Sequence, residues 1–348
     1  MNTNKRPTIY DIAEKLGISS GSVYRALNNT GRVSAQTRQR VLDAAQEMGY
    51  VANKAAQSLR RTPVRIGVIL CCPVENYLND IRSGVEAALE ELRRLNVIGD
   101  IRDFGCVNSE QRRAEIKQTM VDFKESGYQG AALFLSGNNA VFADTIREMV
   151  DGGMRVATIA NDITGSARSL SVSADGNAAG RLAAQILSIG CRGGRISILT
   201  GRRSTGIHSS KVSGFLDEAG SRDLFSQIDI IEHDGTDAAA IARLRRILTQ
   251  DPPDGVYVSA ALPREACEWI ASRSVGNVRI VMTDLRPEQK RLLTSGAVCA
   301  AIYQNPRRQG KWGIERLYAQ IDAHKEEEEI FRIVPQALFV ANFELCEM

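Results

Sequence analysis

The sequence predicts an all-α helix-turn-helix head with a hinge helix, followed by a two-lobed α/β domain built on parallel sheets. Near the N-terminus, two short apolar stripes at helical spacing flank a glycine, which is typical of two helices joined by a tight turn. From Val64 onward, short apolar runs alternate with longer amphipathic segments, as repeated strand-helix units do. The units are too many for one small sheet, and the pattern restarts near residues 171–180, so we expect two lobes.

The head, residues 1–50, is expected to contain three helices. The first helix ends at Gly17, and Ser19 is the expected N-cap of the second helix. The third helix is expected to run from its cap, Ser34, to Gly49. The apolar residues that recur at helical spacing are Ile9, Ile12, Ala13, Leu16, Val23, Ala26, Leu27, Val41, Ala45 and Met48. Together they predict a small three-helix core.

The composition indicates a multidomain globular protein of a reducing compartment. The chain has 348 residues, of which 43% are hydrophobic, so it can bury several cores. No apolar run reaches the roughly 18 residues of a membrane-spanning helix, and the first residues lack the apolar stretch of a secretory signal. The seven cysteines are odd in number and form no C-x-x-C pair. We therefore expect a cytoplasmic protein that does not contact a membrane.

Positive charge is concentrated in the head. Residues 1–62 hold ten Lys or Arg against four Asp or Glu, a net charge of +6, whereas the rest of the chain holds 34 against 37, a net charge of −3. Because clustered Lys and Arg most often neutralise phosphates, we expect the head to bind a polyanion. For any single run of charge, a solvated surface is the alternative.

The expected second helix has the surface that a helix in the DNA major groove needs. Its first turns must carry side chains short or polar enough to approach base edges. Arg25 can bind a guanine through two hydrogen bonds, which is worth about 1–3 kcal/mol of discrimination. The alternative is an ordinary helical hairpin with a hydrated polar face. The candidate DNA-binding residues of the head are Ser19, Ser20, Gly21, Ser22, Tyr24, Arg25 and Asn28.

Residues 8–28, TIYDIAEKLGISSGSVYRALN, resemble the head of the LacI/GalR family of transcriptional regulators. The similarity continues through GRVSAQTRQRVLDAAQEMGYVANKAAQSLR and, more weakly, to the C-terminal strands. The resemblance implies that the second helix reads the major groove and that a hinge helix follows. It also implies a body with the fold of periplasmic sugar-binding proteins. The implied function is a homodimeric repressor that binds a palindromic double-stranded DNA operator and is controlled by a sugar or sugar derivative.

The resemblance also assigns roles to single positions of the head and hinge. Ser20 and Gly21 fall where the family has its variable base-reading pair, and Tyr24 replaces a small hydroxyl residue. Residues 51–63 are the expected hinge helix and linker. Within them, Leu59 is either a wedge between base pairs in the minor groove or a simple interlobe contact. The hinge residues expected at the DNA are Asn53, Lys54, Ala56 and Leu59.

In the body, the resemblance implies an effector site between two lobes. The expected lobes are residues 64–160 with about 290–324, and residues 161–289 with about 325–348. Tyr77 either stacks on a sugar ring or seals its own helix. The candidate effector-binding residues are Asn76, Tyr77, Asp162, His208, Lys211, Asp284 and Gln304.

Three of these candidates carry a particular expectation. Asp162 and Asp284 each follow an expected strand, where a carboxylate either accepts hydrogen bonds from hydroxyl groups or caps a helix. Lys211 stands where the family usually has an arginine. Since lysine offers a point charge instead of a planar fork, this departure changes what the site can bind.

The chain lacks motifs for catalysis, metal ions or cofactors. In GRRSTGIHS the glycines have the spacing of a phosphate-binding loop, but Ile207 and His208 stand where Lys and Ser or Thr are required. No His or Cys cluster has metal-ligand spacing, and no nucleophile elbow occurs in a strand-turn-helix context. We expect no enzymatic activity and no cofactor. The alternative function is a cytoplasmic sugar-binding or sugar-modifying protein whose head docks a partner protein.

Overall fold

The computed structural model divides the chain into two compact units, residues 1–62 and 63–348. It describes residues 7–27, 31–50, 62–105, 109–137, 139–233, 237–260, 268–270, 272, 278–284 and 287–343. Among these residues, no helix combines the length and the apolar character that crossing a membrane requires. Asn28 and the expected hinge residues Asn53, Lys54, Ala56 and Leu59 lie outside the described residues.

The head consists of three short helices around a small core, as predicted. They are α1 (Ile9–Leu16), α2 (Ser20–Leu27) and α3 (Ala35–Glu47). Each helix contributes one β-branched residue with 0% exposure, namely Ile12, Val23 and Val41. The small residues packed around them are Ala13, Ala26, Ala44 and Ala45. Alanines at these positions let the three helices approach closely. The outer face of α2 is not part of this core and is available for other contacts.

Caps fix where α2 and α3 begin. Gly17 ends α1 with a φ of +64°, a left-handed conformation that glycine adopts without strain. The Ser19 hydroxyl accepts a hydrogen bond from the backbone N–H of Ser22 at 3.1 Å, and Ser34 accepts one from the N–H of Thr37 at 3.1 Å. Both serines are therefore N-caps, as expected from the sequence.

The body contains two sheets of six strands each. In chain order the strands are β1 (Val64–Cys71), β2 (Val97–Gly105), β3 (Gly130–Leu135), β4 (Arg155–Ile159), β5 (Leu170–Ala174), β6 (Arg195–Thr200), β7 (Gln227–Glu232), β8 (Gly255–Val258), β9 (Arg279–Thr283), β10 (Ala300–Tyr303), β11 (Glu329–Ile333) and β12 (Gln336–Leu338). The first sheet has the order β11-β5-β4-β3-β1-β2, and the second has the order β12-β10-β9-β8-β6-β7. All neighbouring strands are parallel except β12, which runs antiparallel to β10. The predicted two-lobed parallel α/β fold is confirmed.

Eight described helices longer than one turn cover the sheets of the body. They are α4 (Glu75–Arg93), α5 (Glu110–Glu125), α6 (Ala143–Asp151), α7 (Gly176–Cys191), α8 (Gly206–Ser221), α9 (Asp237–Gln250), α10 (Pro287–Thr294) and α11 (Pro306–Asp322). The pairs α4 with α11 and α7 with α8 pack closely. A Cβ on Gly84 would lie 1.9 Å from the carbonyl oxygen of Arg307, and one on Gly180 would lie 1.9 Å from that of Lys211. Only glycine therefore permits these two helix contacts.

The chain crosses between the lobes at other points than expected. Residues 170–174 form β5 and residues 329–333 form β11, and both strands belong to the first sheet, although we expected these residues in the second lobe. Conversely, residues 300–303 form β10 in the second sheet, although we expected them in the first. The alternation of strands and helices does not reveal which sheet a strand joins, because that depends on long-range pairing such as β11 with β5.

Candidate functional site

The outer face of α2 presents short polar side chains and one arginine. Gly21, Tyr24 and Arg25 are exposed, whereas Ser20 and Ser22 are half-buried. Arg25 Nη2 donates a hydrogen bond to the Ser22 hydroxyl at 3.3 Å. A Cβ on Gly21 would lie 3.6 Å from Arg25 Nη1. A Cβ at this distance would make an ordinary van der Waals contact, so the position of the guanidinium does not require glycine at residue 21.

The chemistry of this face fits a nucleic acid. The hydroxyls of Ser19 and Ser22 lie 2.9 Å apart, so both can contact a phosphate or a base edge once that bond is exchanged. No residue of α2 is acidic, so nothing on the helix itself repels a phosphate backbone. Tyr10 on α1, which the sequence analysis does not single out, is 65% exposed.

In the body, a chain of hydrogen bonds links the two lobes. Gln304 follows β10 and donates from its side-chain amide to the carboxylate of Asp284, which follows β9. Gln309 on α11 donates to the carbonyl oxygen of Gln304 at 2.9 Å and to the hydroxyl of Tyr77 on α4 at 3.2 Å. Three of the expected effector residues, Tyr77, Asp284 and Gln304, are thus brought together through Gln309, which sequence reasoning missed.

The charge of Asp284 acts on groups in both lobes. Burial raises the pKa of the Tyr77 hydroxyl well above its usual value, and Asp284 raises it further. Burial also raises the pKa of Asp80, and again Asp284 adds to the effect. Tyr77 and Asp80 lie on α4 of the first lobe, so the charge of Asp284 in the second lobe acts on groups of the first lobe. A polyhydroxy ligand between Asp284 and Asp80 can donate hydrogen bonds to both carboxylates.

A second polar group lies at the carboxyl ends of β6 and β8. Lys211 on α8 is 3% exposed, and its Nζ donates to the carbonyl oxygen of Ser259 at 3.1 Å. The Ser259 hydroxyl in turn donates to the Thr200 hydroxyl at 2.7 Å. Burial lowers the pKa of Lys211, and the charge of Asp284 opposes that shift. Lys211 therefore lies within the electrostatic reach of the Asp284 cluster.

His208 lies one turn before Lys211 on the same helix. Burial, followed by the charges of Lys211 and His233, lowers the pKa of His208 to about 3, so the imidazole is neutral at pH 7. Its Nδ1 is buried without a hydrogen-bond partner in the described structure. The expected effector residues His208 and Lys211 are thus neighbours, with one polar atom and one ammonium available to a ligand.

Two expected effector residues have other surroundings. Both carboxylate oxygens of Asp162 accept hydrogen bonds from Arg168, which also pairs with Glu328. Thr158 donates to the same carboxylate at 3.2 Å. Asp162 is therefore engaged by its own lobe, and no described contact joins it to the Asp284 cluster. Asn76 is exposed in the first turn of α4.

Among the described residues, no group of three or more His, Cys, Asp or Glu side chains is placed to hold a metal ion.

The sequence analysis also did not single out Tyr257 in β8 and Thr283 in β9. Their hydroxyls are buried and lie 3.1 Å apart. Each sits within a continuous apolar run, so no local pattern indicated a polar contact there.

Two family models match the chain. The model described as bacterial regulatory proteins, lacI family, matches residues 8–53. The model described as periplasmic binding protein domain matches residues 66–326. The two matches cover the head and most of the body, and they do not overlap.

Curated relatives match the N-terminal part of the chain. The HTH-type transcriptional regulator DegA of Bacillus subtilis is 33% identical over 88 residues, which are 25% of this chain and 26% of DegA. The HTH-type transcriptional regulator CelR of Thermobifida fusca is 42% identical over 64 residues, which are 18% of this chain and 19% of CelR. The chain thus spans about a quarter or less of the length of these two relatives.

Solved structures are similar over nearly the whole chain. The complex of the transcriptional regulator CelR with cellobiose has a TM-score of 0.62 at 18% identity, and the similarity covers 96% of this chain and 98% of that one. The lac repressor dimer bound to operator and the anti-inducer ONPF has a TM-score of 0.60 at 17% identity, with the same coverage of both chains. At such identities these similarities establish the fold.

Proposed function

The chain belongs to the lacI family of bacterial regulatory proteins and carries a periplasmic binding protein domain as its body, and from this premise we propose that it is a DNA-binding transcriptional repressor. It acts as a homodimer on a palindromic operator, and a carbohydrate bound between the lobes of the body controls its affinity for DNA. The observation that carries this proposal is the pairing of the two family matches in one chain, at residues 8–53 and 66–326.

The surface of the head supports the DNA-binding part of the proposal. The outer face of α2 has hydroxyl groups and a guanidinium and no acidic residue. In our proposal α2 enters the major groove, where Ser20, Ser22 and Arg25 contact base edges. Ser19 and Tyr24 contact phosphates and fix the orientation of the helix. Asn28 and the hinge residues Asn53, Lys54, Ala56 and Leu59 extend these contacts into the hinge.

The effector part of the proposal rests on the polar groups between the lobes. Asp284 and Gln304 lie at the carboxyl ends of strands of the second sheet, where ligands of parallel α/β sheets bind. Lys211 on α8 reaches the same edge of the sheet through its hydrogen bond to Ser259. Tyr77 approaches from α4 of the first lobe. One of the similar solved structures is a complex of CelR with cellobiose, which favours a carbohydrate here too. Asn76 and His208 complete the proposed site, whereas Asp162 is bound by Arg168 within the first lobe and contributes to its stability.

Control follows from the position of the effector between the lobes. A ligand that binds one arrangement of the lobes more tightly shifts the population toward it. A coupling of about 1–3 kcal/mol between effector and DNA is sufficient, since it changes the affinity about 5- to 150-fold. We assign the chain no enzymatic activity and no cofactor, and we propose that it acts in the cytoplasm, where its operator is.

The test is selection of duplexes from a random library by the full chain, followed by fluorescence anisotropy of the selected duplex at several salt concentrations. We expect one palindromic sequence to bind at least about 1,000-fold more tightly than random DNA. We also expect the logarithm of the affinity to fall steeply with the logarithm of salt concentration. A salt slope near zero on random DNA would favour a head that docks a partner protein.

A thermal-shift screen of sugars, sugar phosphates and sugar acids identifies the effector. A ligand at 100 times its dissociation constant adds about 2.7 kcal/mol to the free energy of unfolding, which is readily measured. The regulator proposal requires that a compound that stabilises the body also changes the affinity for the selected duplex.

A further inference from the structure

Among the described residues, no carboxylate forms an ion pair with Lys211. Its side chain is 3% exposed, and its Nζ donates one hydrogen bond, to the Ser259 carbonyl oxygen at 3.1 Å. An ammonium has three N–H donors. The other two have no acceptor within the described ranges, and no described carboxylate forms an ion pair with Lys211. The cost of burying this charge is therefore not offset by an opposite charge in direct contact.

The carboxylate that acts on Lys211 from a distance is that of Asp284. It accepts a hydrogen bond from Gln304, and it forms no ion pair with the lysine within the described part of the chain. Among the described residues, Lys211 therefore has N–H donors left for one negative group.

His208 adds a second polar atom to the same place. Its Nδ1 is buried without a partner among the described residues, and buried polar atoms of this kind are usually satisfied by a ligand or water. The ring lies against the chain at the end of β6, because a Cβ on Gly201 would lie 2.6 Å from its Nε2. The neutral imidazole can donate one hydrogen bond and adds no charge of its own.

The N-terminus of α8 is also electropositive. The N-cap Thr205 makes no side-chain hydrogen bond to the helix, and the first turn carries no acidic residue. The positive end of the helix dipole is thus not neutralised locally. His208 and Lys211 both lie in the first two turns of this helix, so the dipole, the ammonium and the unpartnered nitrogen act on one small region.

We propose that Lys211, with His208, binds an anionic group of the effector, so that the effector is an acidic carbohydrate derivative and not a neutral sugar. This inference rests on the proposed function, because it names the ligand class of the same site. A hydroxyl oxygen would accept a hydrogen bond from Lys211 but would leave its charge unpaired. A carboxylate or phosphate oxygen supplies both the acceptor and the opposite charge. Hydroxyl groups at the far end of the ligand donate to Asp284.

The test is isothermal titration calorimetry on the full chain with pairs of ligands that differ in the acidic group. The pairs are D-galacturonate with D-galactose, D-glucuronate with D-glucose, D-gluconate with D-glucitol, and D-glucose 6-phosphate with D-glucose. We expect at least one acid to bind at least about tenfold more tightly than its neutral counterpart. Preference for a uronate or gluconate identifies a carboxylate, and preference for glucose 6-phosphate identifies a phosphate.

Variants connect the preference to the residue. We expect Lys211→Met to bring the affinity for the acid down to that for the neutral sugar, and Lys211→Arg to keep the preference, because arginine retains the charge. Lys311→Met is the matched control, since Lys311 pairs with Glu91 on the surface at 2.7 Å and we expect it to leave binding unchanged. Circular dichroism of each variant checks that it is folded.

Three results would overturn the inference: a neutral sugar that binds as tightly as its acid, failure of all the acids to bind, or an unchanged preference in folded Lys211→Met. These outcomes differ from failure of the proposed function. If a neutral effector releases the DNA, the regulator proposal stands and only the proposal of an anionic group is wrong. If the chain does not bind duplex DNA, the regulator proposal is wrong, whatever ligand affinities the calorimetry gives.

Discussion

Gln304 donates its side-chain amide to the carboxylate of Asp284 and thereby ties the end of β10 to the end of β9. Its carbonyl oxygen accepts a hydrogen bond from Gln309 at 2.9 Å, and Gln309 reaches Tyr77 in the first lobe at 3.2 Å. The residues proposed to bind the effector are therefore also part of the connection between lobes. A ligand that competes for Asp284 changes the hydrogen bond that orders this connection.

Asp284→Asn is the variant that tests this cluster. We expect it to weaken binding of the effector found by the thermal-shift screen at least about tenfold, because an amide loses the charge that strengthens hydrogen bonds from hydroxyls. Calorimetry measures the affinity, and a melting curve checks folding. Unchanged affinity in a folded variant would remove Asp284 from the site.

Asp162→Asn is expected to act on stability instead of binding. Its carboxylate bonds to Arg168, which is 6% exposed, so we expect the variant to lower the free energy of unfolding by about 1.5–3 kcal/mol. Urea unfolding measures this loss, with calorimetry as the control for binding. A stable variant that no longer binds the effector would show that Asp162 contacts the ligand.

The same pair implies a pH dependence. Burial opposes ionisation of Asp162, but the hydrogen bonds and charge of Arg168 outweigh it and hold the pKa below its usual value. A carboxyl with a lowered pKa in the folded state stabilises the fold above its unfolded-state pKa, and this contribution is lost as the pH falls through the folded-state pKa. We therefore expect the stability difference between wild type and Asp162→Asn to be largest near pH 7 and to shrink in acid. A difference that grows in acid would contradict this ion pair.

Arg25→Ala tests the role of α2. We expect the variant to lose most of its preference among operator sequences, a change of about 1–3 kcal/mol at one base pair, while weak binding to random DNA remains. Arg40→Ala is the matched control, because Arg40 is exposed on α3 and its loss removes the same charge from the head. Anisotropy with operator variants distinguishes the two. An unchanged sequence preference in Arg25→Ala would exclude Arg25 as a base-reading residue.

The close contact of α7 with α8 gives a prediction about packing. A Cβ on Gly180 would lie 1.9 Å from the carbonyl oxygen of Lys211, whereas one on Gly220 of the same helix pair meets nothing within 4 Å. We expect Gly180→Ala to destabilise the body by about 1–3 kcal/mol and to weaken effector binding by displacing Lys211. Gly220→Ala is the control and is expected to be neutral or slightly stabilising. Equal melting temperatures for both variants would contradict the packing of these helices.

The sequence predicted much of the fold because burial and capping leave local patterns. The apolar runs that predict strand-helix units from Val64 onward are found in the structure as buried strands such as β3 and β8. Strand β5 has a weaker apolar signal, since Ser171 and Ser173 interrupt its apolar run although both are buried. The edge strands β2 and β11 also have weak signals, because their polar residues face solvent.

The candidate site was predicted only in part. Asp284 was expected from its place after a strand and Gln304 from the family resemblance, and the two residues contact each other. Gln309 and Ser259 were not expected, because one lies within an amphipathic helix and the other contributes a backbone carbonyl. The engagement of Asp162 by Arg168 depends on the packing of a loop on β11, which no local pattern reveals.

Coupling between the body and the head is measured by the dissociation constant of the effector for the free protein and for the protein saturated with its selected operator duplex. We predict that the two constants differ by about fivefold or more, and that the effector changes the operator affinity by the same factor, because the coupling is reciprocal. Equal constants in the presence and absence of the operator would contradict control by the effector, since the body would then bind its ligand without acting on the head.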